Sequence, residues 1–172
     1  MQNLLSGTAV IPDLLQQIDI LLHDSFQANH SEVAKMLNSF IEALDRLKDW
    51  EMHFQQGCPE AYYWPQVPDT KTIDGPHAFW FPNVTMANVY THLWAFRIVC
   101  LTEIDRLSLL FPAFVLEIPA FASKFEFGYI KKQMVALSKQ TCMGMEYLMQ
   151  DEMRLFRTCV YFLSTAGGLS SI

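Results

Sequence analysis

The stretch 83–111 is the longest run in this chain that keeps one apolar stripe at helical spacing without an internal proline or glycine. Asn83 can cap its first turn, and Pro112 forbids its continuation. Charged residues such as Arg97 and Glu103 lie within this stretch. Because burying a charge in the bilayer is costly, the stretch predicts a core helix rather than a membrane span. Its stripe is wide enough for the inside of a helical bundle: Met86, Val89, Leu93, Phe96, Cys100, Ile104 and Leu107.

Three further segments repeat their apolar residues with the same helical period, and no segment alternates as a strand does. The sequence therefore predicts an all-α fold, a bundle of long helices joined by a proline- and aromatic-rich loop. We expect one helical domain over 1–163 and a loose tail over 164–172, because Gly167-Gly168 offers neither periodicity nor a cap. The further helices are predicted at 12–27, at 31–57 with Ser31 as N-cap, and from Phe121 or Glu126 to Leu155.

The loop 57–82 contains five prolines and no periodicity, and the proline-bounded piece 113–119 is a second crossing between helices. Long loops in compact domains are either well packed or functional. The aromatic residues of this loop predict a cover over the helices or, alternatively, the wall of a small-molecule pocket. The pocket candidates are Tyr63, Trp64 and Trp80 from the loop, with His92 and Trp94 from the central helix.

The charge and the cysteine spacing restrict the classes of partner and cofactor that we expect. A net charge of −6 opposes direct binding to nucleic acid, which needs clustered Lys and Arg. The four cysteines have no metal-ligand spacing, so we expect core thiols in a reducing compartment, no metal and no cofactor. The chain start has no positive n-region and no later segment reads as a membrane span, which predicts an intracellular protein of the nucleus or cytoplasm without membrane partners.

Familiar catalytic motifs are absent from the sequence. A catalytic interpretation depends on His92 within the central helix and Glu146 near the pair Asp151-Glu152, as groups for acid–base work. Each has a structural alternative, namely a core or boundary histidine and a solvated helix end. The catalytic alternative is a small helical enzyme of secondary metabolism, of the proton-transfer or cyclisation type, with the aromatic loop as its pocket.

Several phrases of the sequence resemble the C-terminal regulatory half of fungal zinc-cluster transcription factors, the fungal-specific transcription factor domain. They are ALDRLKDW (43–50), YWP (63–65), FPNVTMAN (81–88), LWAF (93–96), EYLMQDEM (146–153) and LF (155–156). The resemblance implies an all-helical regulatory domain that responds to protein partners or metabolites and has no catalytic site.

The six-cysteine zinc cluster of that family has no counterpart here, so none of its DNA-contacting or metal-binding residues carries over. The resemblance implies a truncated regulator of a secondary-metabolite gene cluster that acts without DNA binding of its own. It would act through small-molecule sensing, or through a protein partner or homo-oligomer docked on exposed apolar helix faces. An inactive relic is the further alternative.

The tail departs from the family in a regular way. After the position of Phe156 the family continues Gly-Pro-Ala-Ser-Thr-Phe-Phe-Pro-Leu-Arg-Val-Ala-Tyr, whereas this chain has RTCVYFLSTAGGL at 157–169. If the codons are read one base earlier, the first two bases of each family codon become the last two bases of a new codon. Each of the thirteen residues at 157–169 is permitted by this shifted reading. We therefore expect a shifted reading frame, from a frameshift, altered splicing or a gene-model error, and a domain truncated at its C-terminus.

Overall fold

A computed structural model describes residues 4, 7–23, 29–56, 63–65, 79–125 and 128–166, with the backbone alone for 64–65 and 150–166. The predicted all-α class is confirmed. Two strands of two residues, β1 (Trp64–Pro65) and β2 (Phe79–Trp80), pair antiparallel with Trp64 opposite Trp80. The helices are α1 (Val10–His23), α2 (His30–Gln56), α3 (Val84–Leu110), α4 (Pro112–Val115), α5 (Pro119–Lys124) and α6 (Tyr129–Ala166).

The chain divides into two compact units. The first unit comprises Met1–Glu60 and His92–Lys139, and the second comprises Ala61–Thr91 and Gln140–Ile172. The division falls inside α3 and inside α6. The expected single domain over 1–163 stays a prediction.

The ends of α3 confirm the two signals read from the sequence. The backbone N–H of Met86 donates to Asn83 Oδ1 at 2.9 Å, which satisfies one of the free donors of the first turn. The helix ends at Leu110, ahead of Pro112, which has no N–H to continue the ladder. Its stripe is buried in both units: Ala87, Val89 and Tyr90 in the second, and Leu93, Trp94, Cys100, Leu101, Ile104 and Leu107 in the first.

The N-cap of α2 is Asn29, so the prediction of Ser31 is wrong. The Glu32 N–H donates to Asn29 Oδ1 at 3.0 Å, and the Asn29 N–H donates to a Glu32 carboxylate oxygen at 3.4 Å. This reciprocal pair is a capping box with Asn in place of Ser or Thr. Ser31 lies in the first helical turn, where a cap cannot form.

The first unit is organised around α2, which packs against α1, α4 and α5. Helix α1 begins at Val10, two positions before the predicted Pro12, and its predicted end at Gln27 lies outside the described residues. It buries Ile11, Leu14 and Ile18. Helix α2 buries an apolar stripe at helical spacing: Val33, Met36, Leu37, Phe40, Ile41, Leu44 and Leu47.

The segment after α3 is more helical than the sequence predicted. The crossing piece 113–119 contains α4, and α5 precedes α6 as a separate short helix, so a single helix beginning at Phe121 is wrong. Both short helices begin with a proline at their first position, where its missing N–H costs nothing. Gly128, with φ +79°, separates α5 from α6 because the left-handed region suits glycine.

Helix α6 extends to Ala166, so the predicted end at Leu155 is also wrong. The sequence contains no proline or glycine between Gly144 and Gly167, and therefore nothing that stops a helix earlier. Gly144, inside this helix, is buried. The predicted boundary at residue 163 falls in the last turns of α6. Most of the predicted tail, 167–172, lies outside the described residues.

Two cysteines have described side chains, and they differ. Cys100 is buried in α3, and burial raises the pKa of its thiol to about 12, as expected for a core thiol. Cys142 is exposed on α6, so the expectation of a core thiol is wrong there. The side chains of Cys58 and Cys159 lie outside the described residues.

The exposure of apolar side chains and the hydropathy of the helices are relevant to which partners this chain can have. Met145 and Met149 of α6 are exposed, as predicted for an apolar helix face that is left uncovered. Among the described helices, none combines the length and the apolar character needed to cross a bilayer.

Candidate functional site

Of the five predicted pocket residues, Tyr63 and Trp80 belong to an aromatic cluster in the second unit. The Tyr63 ring centroid lies 4.9 Å from that of Phe79 and 5.1 Å from that of Tyr90. The Tyr147 hydroxyl donates to the Phe81 carbonyl at 3.1 Å, and the two rings are 5.2 Å apart. Tyr63 is half-buried in this packing, whereas Trp80 is 45% exposed.

The other three pocket candidates have different environments. Trp64 faces Trp80 across the strand pair, and its side chain lies outside the described residues. Trp94 is a core residue of the first unit, 1% exposed, while His92 is exposed on the same helix. The five candidates are thus distributed over both units, and a pocket shared by them stays a prediction.

The proposed catalytic pair is distributed in the same way. His92 belongs to the first unit and the half-buried Glu146 to the second, and the side chains of Asp151 and Glu152 lie outside the described residues. His92 is exposed, so it is not a core histidine, and its role in acid–base work stays a prediction. No group of three or more metal-ligating side chains occurs among the residues that the structure describes.

A cleft in the first unit, which the sequence did not predict, is the candidate functional site. Its volume is about 570 Å³, within the range of small-molecule pockets. It is formed by the end of α3, by α4 and α5, and by the start of α6, and we call it the α3–α6 cleft. Its lining is Asp105, Ser108, Leu109, Pro112, Val115, Leu116, Phe121, Phe125, Gly128, Ile130 and Lys131.

Two leucines of this lining are unusually accessible. Leu109 is 68% exposed and Leu116 is 75% exposed, whereas Val115, Phe125 and Ile130 are buried. The cleft therefore has a buried apolar floor and an apolar rim open to solvent. An accessible apolar rim beside a buried apolar floor is suited to the binding of an apolar ligand.

Contacts with α2 hold the short helices that wall the cleft. The Lys124 ammonium at the end of α5 pairs with the Asp45 carboxylate of α2. At the start of α2, His30 Nε2 lies 3.5 Å from the Glu117 carboxylate, and the His30 ring meets Phe114 edge-on at 5.4 Å. These contacts fix the positions of α4 and α5, because helices of four and six residues are not stable alone.

Three polar side chains lie in the apolar lining. Ser108 Oγ donates to the backbone carbonyl of Asp105 at 2.8 Å, so this hydrogen bond does not involve the Asp105 side-chain carboxylate. Neither the Asp105 carboxylate nor the Lys131 ammonium forms an ion pair with another described residue. Asp105 is half-buried and Lys131 is exposed. A few convergent polar groups in an apolar cavity are what gives a pocket its specificity.

A second charged group lies between α2 and α3, away from the cleft lining. Arg97 Nη1 donates to the Glu51 carboxylate at 2.8 Å, and the two side chains are only 14% and 17% exposed. Burial raises the pKa of Glu51, and the Arg97 charge opposes this only in part. Burial and the Arg97 charge also lower the pKa of Lys48. This pair joins two helices and has no geometry of a binding site.

Some signals of the cleft are present in the sequence. The helices around the cleft are interrupted by Pro112, Pro119 and Gly128. The exposed side chains Leu109 and Leu116 do not belong to the buried apolar stripes of the preceding segments. Spacing alone does not reveal that these interruptions fold into one concave surface, because that depends on how α4 and α5 pack on α2.

Comparisons of the chain with protein-family models, with curated proteins and with solved structures find no match. The resemblance to the fungal regulatory domain therefore stays a prediction.

Proposed function

We propose that this chain is a regulatory protein related to the regulatory halves of fungal zinc-cluster transcription factors, that it senses a small molecule through the α3–α6 cleft, and that it acts without DNA binding of its own. The observation that carries the proposal is the cleft itself. It offers a volume of about 570 Å³ with an apolar floor and an accessible apolar rim. Nothing in its lining resembles a nucleophile paired with a base, which favours binding over catalysis.

The geometry suits a sensor because the cleft is shared by several short elements. Its walls come from four helices, two of which depend on contacts with α2. A ligand that contacts all of these walls would change their packing together, and a differential affinity for two arrangements is what a molecular switch requires. Regulation of a secondary-metabolite gene cluster is the process that we assign to such a switch.

A reporter assay tests the regulatory function. The chain is fused to a heterologous DNA-binding module, and reporter output is compared with that of the module alone. We expect the fusion to change the output and the double variant Leu109→Lys/Leu116→Lys to abolish that change, because two charges on the rim prevent an apolar ligand from entering. Since both leucines are exposed, the substitutions should alter stability by no more than about 0.5 kcal/mol each.

The matched control is Ile20→Lys/Met52→Lys, which places the same charges on exposed apolar residues outside the cleft. It should leave the reporter response intact. A fusion that never differs from the module alone, or a loss of response in both double variants, would count against the proposed function. Binding of the neutral apolar dye N-phenyl-1-naphthylamine to the purified chain, lost in the cleft variant alone, checks ligand entry directly.

A further inference from the structure

The charges of the α3–α6 cleft limit which molecule can occupy it. Asp105 and Lys131 are the two charged residues of its lining, and they have opposite signs. Neither is neutralised by an ion pair with another residue in the described part of the chain. A ligand that fills the cleft is bound most favourably when it offers a group of opposite sign to each of them, because a charge covered by an uncharged surface loses solvation without compensation.

The ends of the two long helices reinforce these signs. Asp105 lies near the C-terminal end of α3, whose last turn has no basic residue, so the partial negative charge of the free carbonyls is not compensated by the helix itself. Lys131 lies in the first turn of α6, which has no acidic residue. The partial positive charge of that helix end therefore adds to the ammonium. The lining therefore contains one negative and one positive group, and each has the same sign as the partial charge of the helix end near it.

The net charge of the molecule argues against a singly charged ligand. With a net charge of −6, the chain repels an anion that would satisfy Lys131 alone. A cation would satisfy Asp105 but would meet the like charge of Lys131. A ligand with one group of each sign meets both residues and experiences no net repulsion.

We propose that the α3–α6 cleft binds a zwitterion with an apolar body of dipeptide size, whose cationic group pairs with Asp105 and whose anionic group pairs with Lys131. The apolar body contacts the floor residues Val115, Phe125 and Ile130. The volume of about 570 Å³ suits a molecule larger than a single amino acid. This assignment rests on the proposed function and names the class of ligand for the same site.

The test uses four forms of Phe-Phe with the same apolar body: free at both ends, N-acetylated, C-amidated, and blocked at both ends. Binding to the full chain is measured by isothermal titration calorimetry at low salt. We expect the free zwitterion to bind most tightly. Lys131→Gln should weaken the free and N-acetylated forms about tenfold and leave the amidated form unchanged, since about 1.4 kcal/mol is lost with one charge-assisted contact. Asp105→Asn should weaken the free and amidated forms and leave the acetylated form unchanged.

Lys132→Gln is the matched control, because Lys132 is the exposed neighbour of Lys131 and does not line the cleft. Equal binding of all four peptides, or equal effects of the Lys131 and Lys132 variants, would overturn the zwitterion while leaving an apolar ligand site intact. If no peptide binds but N-phenyl-1-naphthylamine does, the zwitterion is again overturned and the proposed function survives. If neither binds, both fail. A wild-type dimer in sedimentation that Leu116→Lys converts to a monomer would make the cleft an interface between copies and also overturn the proposal.

Discussion

At the scale of single residues, the Arg97–Glu51 pair is the most consequential contact in the first unit. The two side chains are nearly buried and join α3 to α2 at 2.8 Å. Burial disfavours the Glu51 carboxylate more than Arg97 favours it, as the raised pKa of Glu51 indicates. Such a pair contributes little when complete, but removal of one partner leaves the other charge buried and unpaired.

We therefore predict that Glu51→Ala lowers the free energy of unfolding by about 1.5–3 kcal/mol, because Arg97 loses its charged partner. Glu42→Ala is the matched control, since it breaks an exposed Glu–Arg pair with Arg46 on the same helix. That pair should contribute only about 0.3–0.5 kcal/mol. Urea denaturation at pH 7 measures both values, and equal losses in the two variants would show that burial of the Arg97 pair has no energetic consequence.

The pH dependence of the same pair has a defined sign. Because the folded-state pKa of Glu51 is raised above 4.5, the stability that it contributes is fully present below that value and is lost as pH rises through the folded-state pKa. The isosteric variant Glu51→Gln does not titrate and should lack this loss. A difference in unfolding free energy between wild type and Glu51→Gln that grows in favour of wild type with rising pH would contradict this prediction.

At the scale of elements, helix ends were determined by local chemistry that the sequence displays only in part. Asn83 and Pro112 delimit α3 as the sequence predicted. The cap of α2 was misassigned because two candidate capping residues, Asn29 and Ser31, stand two positions apart, and the partner Glu32 decides between them. The reciprocal bond of Glu32 to the Asn29 N–H is available only when Asn29 is the cap.

These two residues make a direct test of the α2 cap. Asn29→Ala should lower the free energy of unfolding by about 1 kcal/mol, because an N–H of the first turn loses its acceptor. Ser31→Ala should change it by no more than about 0.5 kcal/mol, since the Ser31 side chain is exposed in the first turn. Thermal denaturation of both variants measures the difference. A larger loss for Ser31→Ala than for Asn29→Ala would restore the prediction that the sequence made.

At the scale of the whole molecule, charge and the distribution of apolar surface restrict the partners. The net charge of −6 opposes phosphate binding, and the exposed leucines of the cleft rim and the exposed methionines of α6 offer surfaces for apolar partners. Two units are present, and each has its own buried residues. Function through contacts with a ligand or another protein stays our proposal.

We predict no sequence-specific binding of duplex DNA at physiological salt, because counterion release needs basic clusters that an acidic chain does not supply. Electrophoretic mobility shifts with promoter fragments measure this. The fusion with the heterologous DNA-binding module serves as the positive control and should shift its own site. A shift by the chain alone that depends on sequence and weakens with added salt would contradict the prediction.

Helical periodicity was sufficient to predict the class of fold and most of the buried residues of α2 and α3. The apolar positions of α2 and α3 recur every three to four residues, and burial follows that period closely, from Val33 and Leu37 to Ile104 and Leu107. The expectation of a core thiol failed at Cys142, which is exposed, and the predicted end of α6 failed because no proline or glycine stops the helix before Gly167. The five pocket candidates were chosen for residue type, and type does not determine which side chains meet.

The candidate site, in contrast, depends on how the helices pack and could not be predicted from the sequence. The residues that form the cleft lie between Asp105 and Lys131, where the sequence predicts the end of the central helix, the crossing piece 113–119 and the start of the next helix, and no site. Their convergence depends on α4 and α5, which are too short to be fixed by local propensity and are positioned by Asp45, His30 and the apolar face of α2. Local patterns specify helices, because hydrogen bonds within a helix connect residues four apart. A cavity depends on contacts between residues far apart in the chain, which no local pattern records.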